Sequence, residues 1–170
     1  MSTNIFLGFP PENIKNWIIA EAERKYQEQL VTPLTFIAEE PNATFSLKSN
    51  DGPDVTLETS PTGEEGSWTP YTVGDEITLT NVGDKVMFRN SSDKINTISY
   101  DDGECYNYFD INSRKIAAFG NIIFLLDKTG NLRDLCQDEG LSFACLFKNC
   151  SKLTKSPILP ATILYINSYC

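Results

Sequence analysis

The feature that most constrains the fold of this chain is a series of short strand-like segments between residues 33 and 119. Each has five or six residues, and stretches containing Gly, Asn, Asp or Pro punctuate the series. In Ile77–Thr80 apolar and polar residues alternate, which is typical of an antiparallel sheet with one buried face. We therefore predict a β-sandwich. The predicted strands are Leu34–Ala38, Ala43–Leu47, Val55–Thr59, Glu76–Thr80, Lys85–Arg89 and Tyr106–Ile111.

The composition excludes several classes of function. A chain of 170 residues with 41% hydrophobic residues can build one medium domain with appendages. Its net charge of −9 would repel a phosphate backbone, so we expect no nucleic-acid partner. There is no histidine, which removes the commonest general base and the commonest nitrogen ligand of zinc. We expect no catalytic residues, no metal, no cofactor and no enzymatic activity.

The apolar runs are too short for a membrane span, which needs roughly 18 residues. We therefore expect a soluble protein with no membrane partner. Residues 1–7 lack a basic leader, a long apolar core and a small-residue cleavage site, so they do not predict a secretory signal.

Residues 1–32 predict an apolar arm followed by a helix. Pro11 and Glu12 suit the first turn of a helix, which we expect to begin near Pro11 and to end before Thr32. The arm and the first half of the helix either pack on the chain's own β-domain or dock on another protein. We favour docking, because the charged second half of the helix resembles a solvated spacer. The predicted partner-binding residues are Ile5, Phe6, Leu7, Phe9, Ile14, Trp17 and Ile18.

The charge distribution supports three regions, at 1–32, 33–119 and 120–170. Fifteen of the 23 acidic residues lie in the middle region. The third region contains the apolar run 122–126 and a cysteine-bearing segment, 143–150, and resembles one unit of a solenoid. Such a unit must lean on the β-domain or on a neighbour.

Further candidate sites each have a simpler structural interpretation. Trp68 and Tyr71 are predicted to cap the core. The acidic turns at 51–54 and 101–104 lack the spacing of an EF-hand loop and are predicted to be solvated. A sugar-stacking face could be formed by aromatic residues near the distal end, although we favour packing in the sheet. These residues are Tyr100, Tyr106, Tyr108 and Phe109.

The five cysteines are irregularly spaced, and with no histidine they predict neither a zinc site nor a complete disulfide set. We expect reduced, mostly buried thiols, with Cys170 as a candidate for an intermolecular link. The cysteines are Cys105, Cys136, Cys145, Cys150 and Cys170.

Four stretches of the middle region resemble an immunoglobulin-like module found in proteins of gut Bacteroidetes and their phages. They are Leu34–Glu40, Val55–Glu58, Ser67–Gly74 and Ile77–Val86.

Two further resemblances lie at the ends of the chain. Leu146–Leu153 with Leu159–Thr162 is similar to one repeat of the BspA-type leucine-rich-repeat family, in which the cysteine matching Cys150 is a packing position. Phe6–Pro11 and Ile14–Ile18 resemble the N-termini of structural fibre proteins of crAss-like Bacteroides phages, where the start of the chain anchors to the particle.

These resemblances imply a mainly β fold: an anchor arm and helix, an immunoglobulin-like sandwich and a partial leucine-rich-repeat-like module. They imply a virion head fibre or decoration protein, made in the host cytoplasm and located on the capsid surface. Expected partners are the major capsid protein, further copies in a dimer or trimer, and a distal host glycan. The alternatives are a phage tail fibre or receptor-binding protein, and a bacterial surface adhesin. Members of the repeat family carry several repeats, whereas one is recognisable here, so we expect no extended repeat surface.

Overall fold

Two β-sheets contribute to one hydrophobic core, and one long helix precedes them. The computed structural model describes residues 11–99, 106–135 and 143–162. The fold is mainly β with one N-terminal helix, as predicted. The elements are α1 (Pro11–Val31), β1 (Leu34–Ala38), β2 (Ala43–Ser49), β3 (Leu57–Ser60), β4 (Thr69–Tyr71), β5 (Ile77–Leu79), β6 (Lys85–Asn90), β7 (Asn107–Asp110), β8 (Ile116–Phe119), a 3-10 helix (Ile122–Leu125) and β9 (Leu153–Lys155).

All six predicted strands are confirmed, with ends that move by no more than two residues. The helix also begins and ends where the sequence predicts. The larger sheet has the order β4-β3-β6-β1-β8-β9, and the smaller has the order β5-β2-β7. The paired strands are antiparallel except for β8 and β9, which are parallel.

Three fully buried phenylalanines join the sheets. Phe36 in β1 and Phe88 in β6 come from the larger sheet, and Phe109 in β7 comes from the smaller. The ring centroid of Phe109 lies 4.7 Å from that of Phe36 and 5.5 Å from that of Phe88. Edge-to-face pairs at such distances each add about 1 kcal/mol beyond the area that they bury. The facing sheets are therefore held together by aromatic packing.

The segments after residue 120 belong to the same core. The 3-10 helix is fully covered, and Leu135, Phe143 and Leu146 are buried with it. Leu153 in β9 pairs with Ile116 in β8, so the last strand extends the larger sheet. A domain boundary at residue 120 stays a prediction. The strands on its two sides, β8 and β9, pair in one sheet.

No helix within the described ranges combines the length and the apolar character that crossing a bilayer requires.

Candidate interaction surfaces

The structure leaves the helical part of the predicted partner-binding surface largely exposed. Trp17 is 56% exposed and Ile18 is 54% exposed, while Ile14 is partly covered. No residue of α1 belongs to the hydrophobic core formed by the described residues. Large apolar side chains at this exposure cost free energy in water, so a cover on this surface would be stabilising. The other predicted residues, Ile5, Phe6, Leu7 and Phe9, lie outside the described residues.

Further along the helix, the side of α1 that carries Ile14, Trp17 and Ile18 continues with ion pairs within the helix. Arg24 donates to Glu21 at 2.8 Å and lies 3.4 Å from Glu28, and Lys25 lies 3.6 Å from Glu21. The hydrogen bond from Arg24 lowers the pKa of Glu21 to about 2. Pairs three or four residues apart stabilise a helix by only a few tenths of a kcal/mol each. This surface therefore satisfies its own charges and can remain in water, as expected for a spacer.

The C-terminal end of α1 is fastened to the sandwich by Asn121, which is fully buried. Its side-chain amide donates to the carbonyl oxygens of Leu30 (3.0 Å) and Gly130 (2.9 Å), and its backbone N–H donates to the carbonyl oxygen of Thr32 (2.8 Å). Its Oδ1 accepts from the N–H of Ile123 and caps the 3-10 helix. Only two residues separate α1 from β1. The helix is therefore joined to the sandwich by several direct bonds.

Gly120 makes this close approach possible. It has a φ of +87°, and a Cβ at this position would overlap the carbonyl oxygens of Pro33 and Thr32. Glycine has no Cβ, so it is the residue that permits both the left-handed backbone and the contact.

Sequence reasoning missed Asn121 and three other buried asparagines that act in the same way. In each of the four, the side-chain amide donates to two main-chain carbonyls from different parts of the chain and so links these parts by hydrogen bonds. They are Asn90, Asn96, Asn107 and Asn121. Asparagine in a turn-rich sequence usually indicates a local turn. The only available signal was their position beside apolar runs.

Of the two residues predicted to cap the core, Tyr71 packs against it, whereas Trp68 is not among the residues packed there. The ring of Tyr71 packs edge-on against Phe88, with centroids 5.2 Å apart. Its hydroxyl accepts from the N–H of Leu47 (3.0 Å) and donates to the carbonyl of Asp75 (2.7 Å). The guanidinium of Arg89 lies 4.0 Å from the centre of the Trp68 ring. Both aromatic residues are occupied by interactions within the chain.

The residues of the predicted sugar-stacking face differ in their burial. Phe109 is fully buried, and its ring stacks on Phe147 with centroids 5.7 Å apart. It is therefore a core residue, as the packing interpretation predicts. Tyr106 and Tyr108 are partly exposed, and Tyr100 lies outside the described residues.

Two open clefts lie near the C-terminal segments. The larger has a volume of about 560 Å³ and is lined mainly by apolar side chains, including Ile122, Phe143, Leu146 and Leu159. The other has a volume of about 350 Å³. It is lined by Asn50, Tyr108, Phe109, Asp110, Asn112, Lys148 and Asn149.

The cysteines differ from the prediction in one respect. Cys145 is disulfide-bonded, so the expectation of reduced thiols is wrong for this residue. The segment carrying Cys145 packs into the core through Ala144 and Leu146, and the crosslink constrains this segment further. Cys150 is a free thiol that donates to the carbonyl of Phe109 at 3.0 Å. Burial raises the pKa of this thiol, which lowers its reactivity. Cys105, Cys136 and Cys170 lie outside the described residues.

Within residues 11–99, 106–135 and 143–162, no group of three or more His, Cys, Asp or Glu side chains is arranged to hold a metal ion. The acidic turn at 101–104 lies outside these ranges. Comparison with protein-family models, with curated proteins and with solved structures finds no match to this chain.

Proposed function

We propose that this chain is a non-enzymatic structural protein of a phage particle, a head fibre or decoration protein. Its N-terminal segment would bind the major capsid protein or another virion protein, and its sandwich would project outward. The observation that carries the proposal is the exposure of Ile18 (54%) beside Trp17 (56%) in the first half of a helix whose far end is bonded to the sandwich through Asn121. Apolar side chains held away from their own core are suited to burial against a partner.

The distribution of charge agrees with this arrangement. The sandwich region carries most of the acidic residues of a chain with net charge −9. A strongly charged outer module resists non-specific association, while the apolar part of α1 provides a specific contact. We therefore propose the first half of α1, with the arm before it, as the contact to the particle.

We also propose that the sandwich is an immunoglobulin-like module and that the C-terminal part is one leucine-rich-repeat-like unit. Facing sheets of six and three strands support the first proposal. Parallel pairing supports the second: Ile116 pairs with Leu153 and Asn121 with Ile158, so both pairs have the same separation along the chain. A repeating coil would produce such a ladder.

The test is peptide mass spectrometry of purified particles, followed by recombinant phage that encode single variants. We expect peptides of this chain on intact particles, and at least tenfold fewer copies per particle for Ile18→Asp. Val31→Asp is a matched control, because Val31 is 76% exposed but lies outside the proposed contact. Absence of the chain from purified particles would overturn the proposal.

One observation supports a second candidate as well as the first, a bacterial surface adhesin of the BspA-type repeat family. The disulfide at Cys145 is typical of a protein that meets oxidising surroundings, which both a released virion and a cell surface provide. Antibody labelling separates the two, since an adhesin would be found on uninfected cells. The same antibody, seen on whole particles, distinguishes a head position from a tail fibre.

A distal host glycan remains a proposed partner. The polar cleft beside β7 is the surface to test, because it combines the partly exposed Tyr108 ring with the amides of Asn50 and Asn149. Binding of the full chain to mucin or capsular polysaccharide, lost in Tyr108→Ala, would support this partner. Equal retention of both proteins would count against it.

A further inference from the structure

A third cleft lies between the two sheets and has a volume of about 340 Å³. Ser49 in β2 and Asn107 in β7, which are paired in the smaller sheet, line it together with Tyr71 from β4 of the larger sheet. Val55 and Val73 also line it, and both pack on the hydrophobic core, so part of its wall is apolar. A cleft of this volume can hold a small organic molecule.

One buried oxygen in the lining of this cleft has no hydrogen-bond donor. Asn107 is 1% exposed, and its Nδ2 donates to the carbonyl oxygens of Pro53 (3.0 Å) and Ile98 (2.8 Å). These bonds fix the amide, because the reversed amide would set its oxygen against two carbonyls. Oδ1 is left without a partner within the described ranges. Since a buried acceptor without a donor costs free energy, a ligand that brings a donor to Asn107 would be stabilised in the cleft.

The charge of the lining indicates which kind of donor fits. Asp54 contributes an exposed carboxylate, and Ser49 and Thr72 contribute hydroxyl groups. No lysine or arginine is among the described residues that line the cleft. The net charge of −9 on the whole chain also attracts cations. The cleft therefore suits a positively charged donor.

The lining favours an organic cation over a metal ion. Calcium takes about six to eight oxygen ligands. In the part of the chain that the structure describes, no group of three or more His, Cys, Asp or Glu side chains could hold a metal. An ammonium group carries its own N–H donors, so one carboxylate and one amide oxygen can bind it. The apolar wall would then contact an alkyl chain.

We propose that this cleft binds a small aliphatic ammonium ion. The ammonium N–H groups donate to Oδ1 of Asn107 and to the carboxylate of Asp54, and the alkyl chain lies against Val55 and Val73. This inference is independent of the proposed function, because the cleft shares no lining residue with α1 or with the polar cleft beside β7.

The test is an NMR titration of the isotope-labelled full chain with n-butylammonium chloride, with sodium chloride of equal ionic strength as the reference. We expect saturable shifts of the Asn107 side-chain amide and of the backbone amides of Asp54 and Val73. The dissociation constant should be millimolar, because a ligand with so few atoms makes few contacts. Absence of saturable shifts would overturn the site.

Three further probes test the chemistry of the ligand. The neutral n-butanol has the same alkyl chain and a hydroxyl donor, and it should bind at least tenfold more weakly. Equal binding of the alcohol would overturn the role of charge, and tighter binding of calcium chloride would overturn the choice of an organic cation. A lysine side chain carries the same ammonium group. Tighter binding of Nα-acetyl-lysine methylamide would identify a protein lysine as the ligand and overturn a free ion.

Two aspartates of the loop after β2 provide matched variants. Asp54→Asn keeps the shape of the side chain but removes its charge, and it should weaken n-butylammonium binding at least tenfold. Asp51→Asn removes the same charge from an exposed residue that does not line the cleft, so its affinity should remain within twofold of wild type. Both substitutions are on the surface and should leave the thermal transition unchanged. Equal weakening by the two variants would mean that overall charge alone attracts the amine, and would overturn the inference.

Discussion

The side-chain amide of Asn121 donates a hydrogen bond to the main-chain carbonyl of Leu30, across 91 positions of sequence and a distance of 3.0 Å. This bond ties the last turn of α1 to the loop that precedes the 3-10 helix. It allows the helix to act as a defined extension of the sandwich, which an anchoring role requires.

Replacing Asn121 should therefore destabilise the whole fold. Asn121→Ala leaves the Leu30 carbonyl and the Ile123 N–H without this partner, whereas the Gly130 carbonyl keeps its bond from Arg133. Each buried polar group left unsatisfied costs about 1 to 3 kcal/mol, so we expect a loss of about 2 kcal/mol or more in the free energy of unfolding. Urea titration measures it. The exposed Asn131→Ala is the control, and a similar loss in both variants would contradict the role assigned to Asn121.

Two glycines with nearly equal φ angles allow the cost of a left-handed backbone to be measured apart from the cost of a close contact. Gly120 has φ +87° and Gly83 has φ +89°, but only at Gly120 would a Cβ overlap neighbouring atoms. Gly83→Ala should cost about 1 to 2 kcal/mol from the left-handed conformation alone. Gly120→Ala should cost at least about 3 kcal/mol, because overpacking against the 32–33 backbone adds to the strain. Equal losses in urea titration would show that α1 does not meet the sandwich this closely.

The strands could be predicted largely from the sequence, because most of them alternate apolar and polar residues between turns. β1 was predicted with its observed ends, since Leu34–Ala38 is a short apolar run between a Pro and a turn. The strands that were missed have no such pattern. β8 is buried along most of its length, β4 contains Pro70, and β9 is only three residues long and pairs with a strand from far away in the chain.

The interaction surface was only partly predictable. Helical spacing places Ile14, Trp17 and Ile18 near one another, but spacing does not reveal whether the sandwich covers them. That depends on where α1 leaves the fold, which Asn121 and Gly120 determine through contacts distant in sequence. The disulfide at Cys145 was missed because an odd number of irregularly spaced cysteines does not indicate a pairing.

Acid should weaken the turn after the 3-10 helix through Asp127. Burial raises the pKa of its carboxyl group. Hydrogen bonds from Thr129, Asn131 and Leu132 together lower this pKa by more than burial raises it, so the net shift is downward. Because the folded-state pKa lies below the unfolded value, the stabilisation is complete above about pH 4 and is lost as the pH falls through the folded value. Asp127→Asn should cost about 1 to 2 kcal/mol at neutral pH, allowing for partial exposure.

Unfolding by urea between pH 7 and about pH 2 measures this difference between wild type and Asp127→Asn. The gap should shrink toward zero at the acid end. A gap that is independent of pH would contradict the role of the ionised carboxylate.

Reduction should loosen the segment that carries Cys145. A disulfide typically contributes about 2 to 4 kcal/mol, so a reducing agent should lower the thermal midpoint of the wild-type protein. The variant Cys145→Ser should already have the lower midpoint and should not respond to the reductant. Cys150→Ser is the matched control, because Cys150 is a free thiol. A wild-type midpoint that is insensitive to reduction would exclude a stabilising crosslink.

The most direct test of the central claim is cryo-electron microscopy of purified phage particles that carry this chain. We predict density for α1 against the particle surface, with the first half of the helix covered by a virion protein and the sandwich on the outside. Particles without this density, or with the sandwich at the particle surface and α1 directed into solvent, would contradict the account.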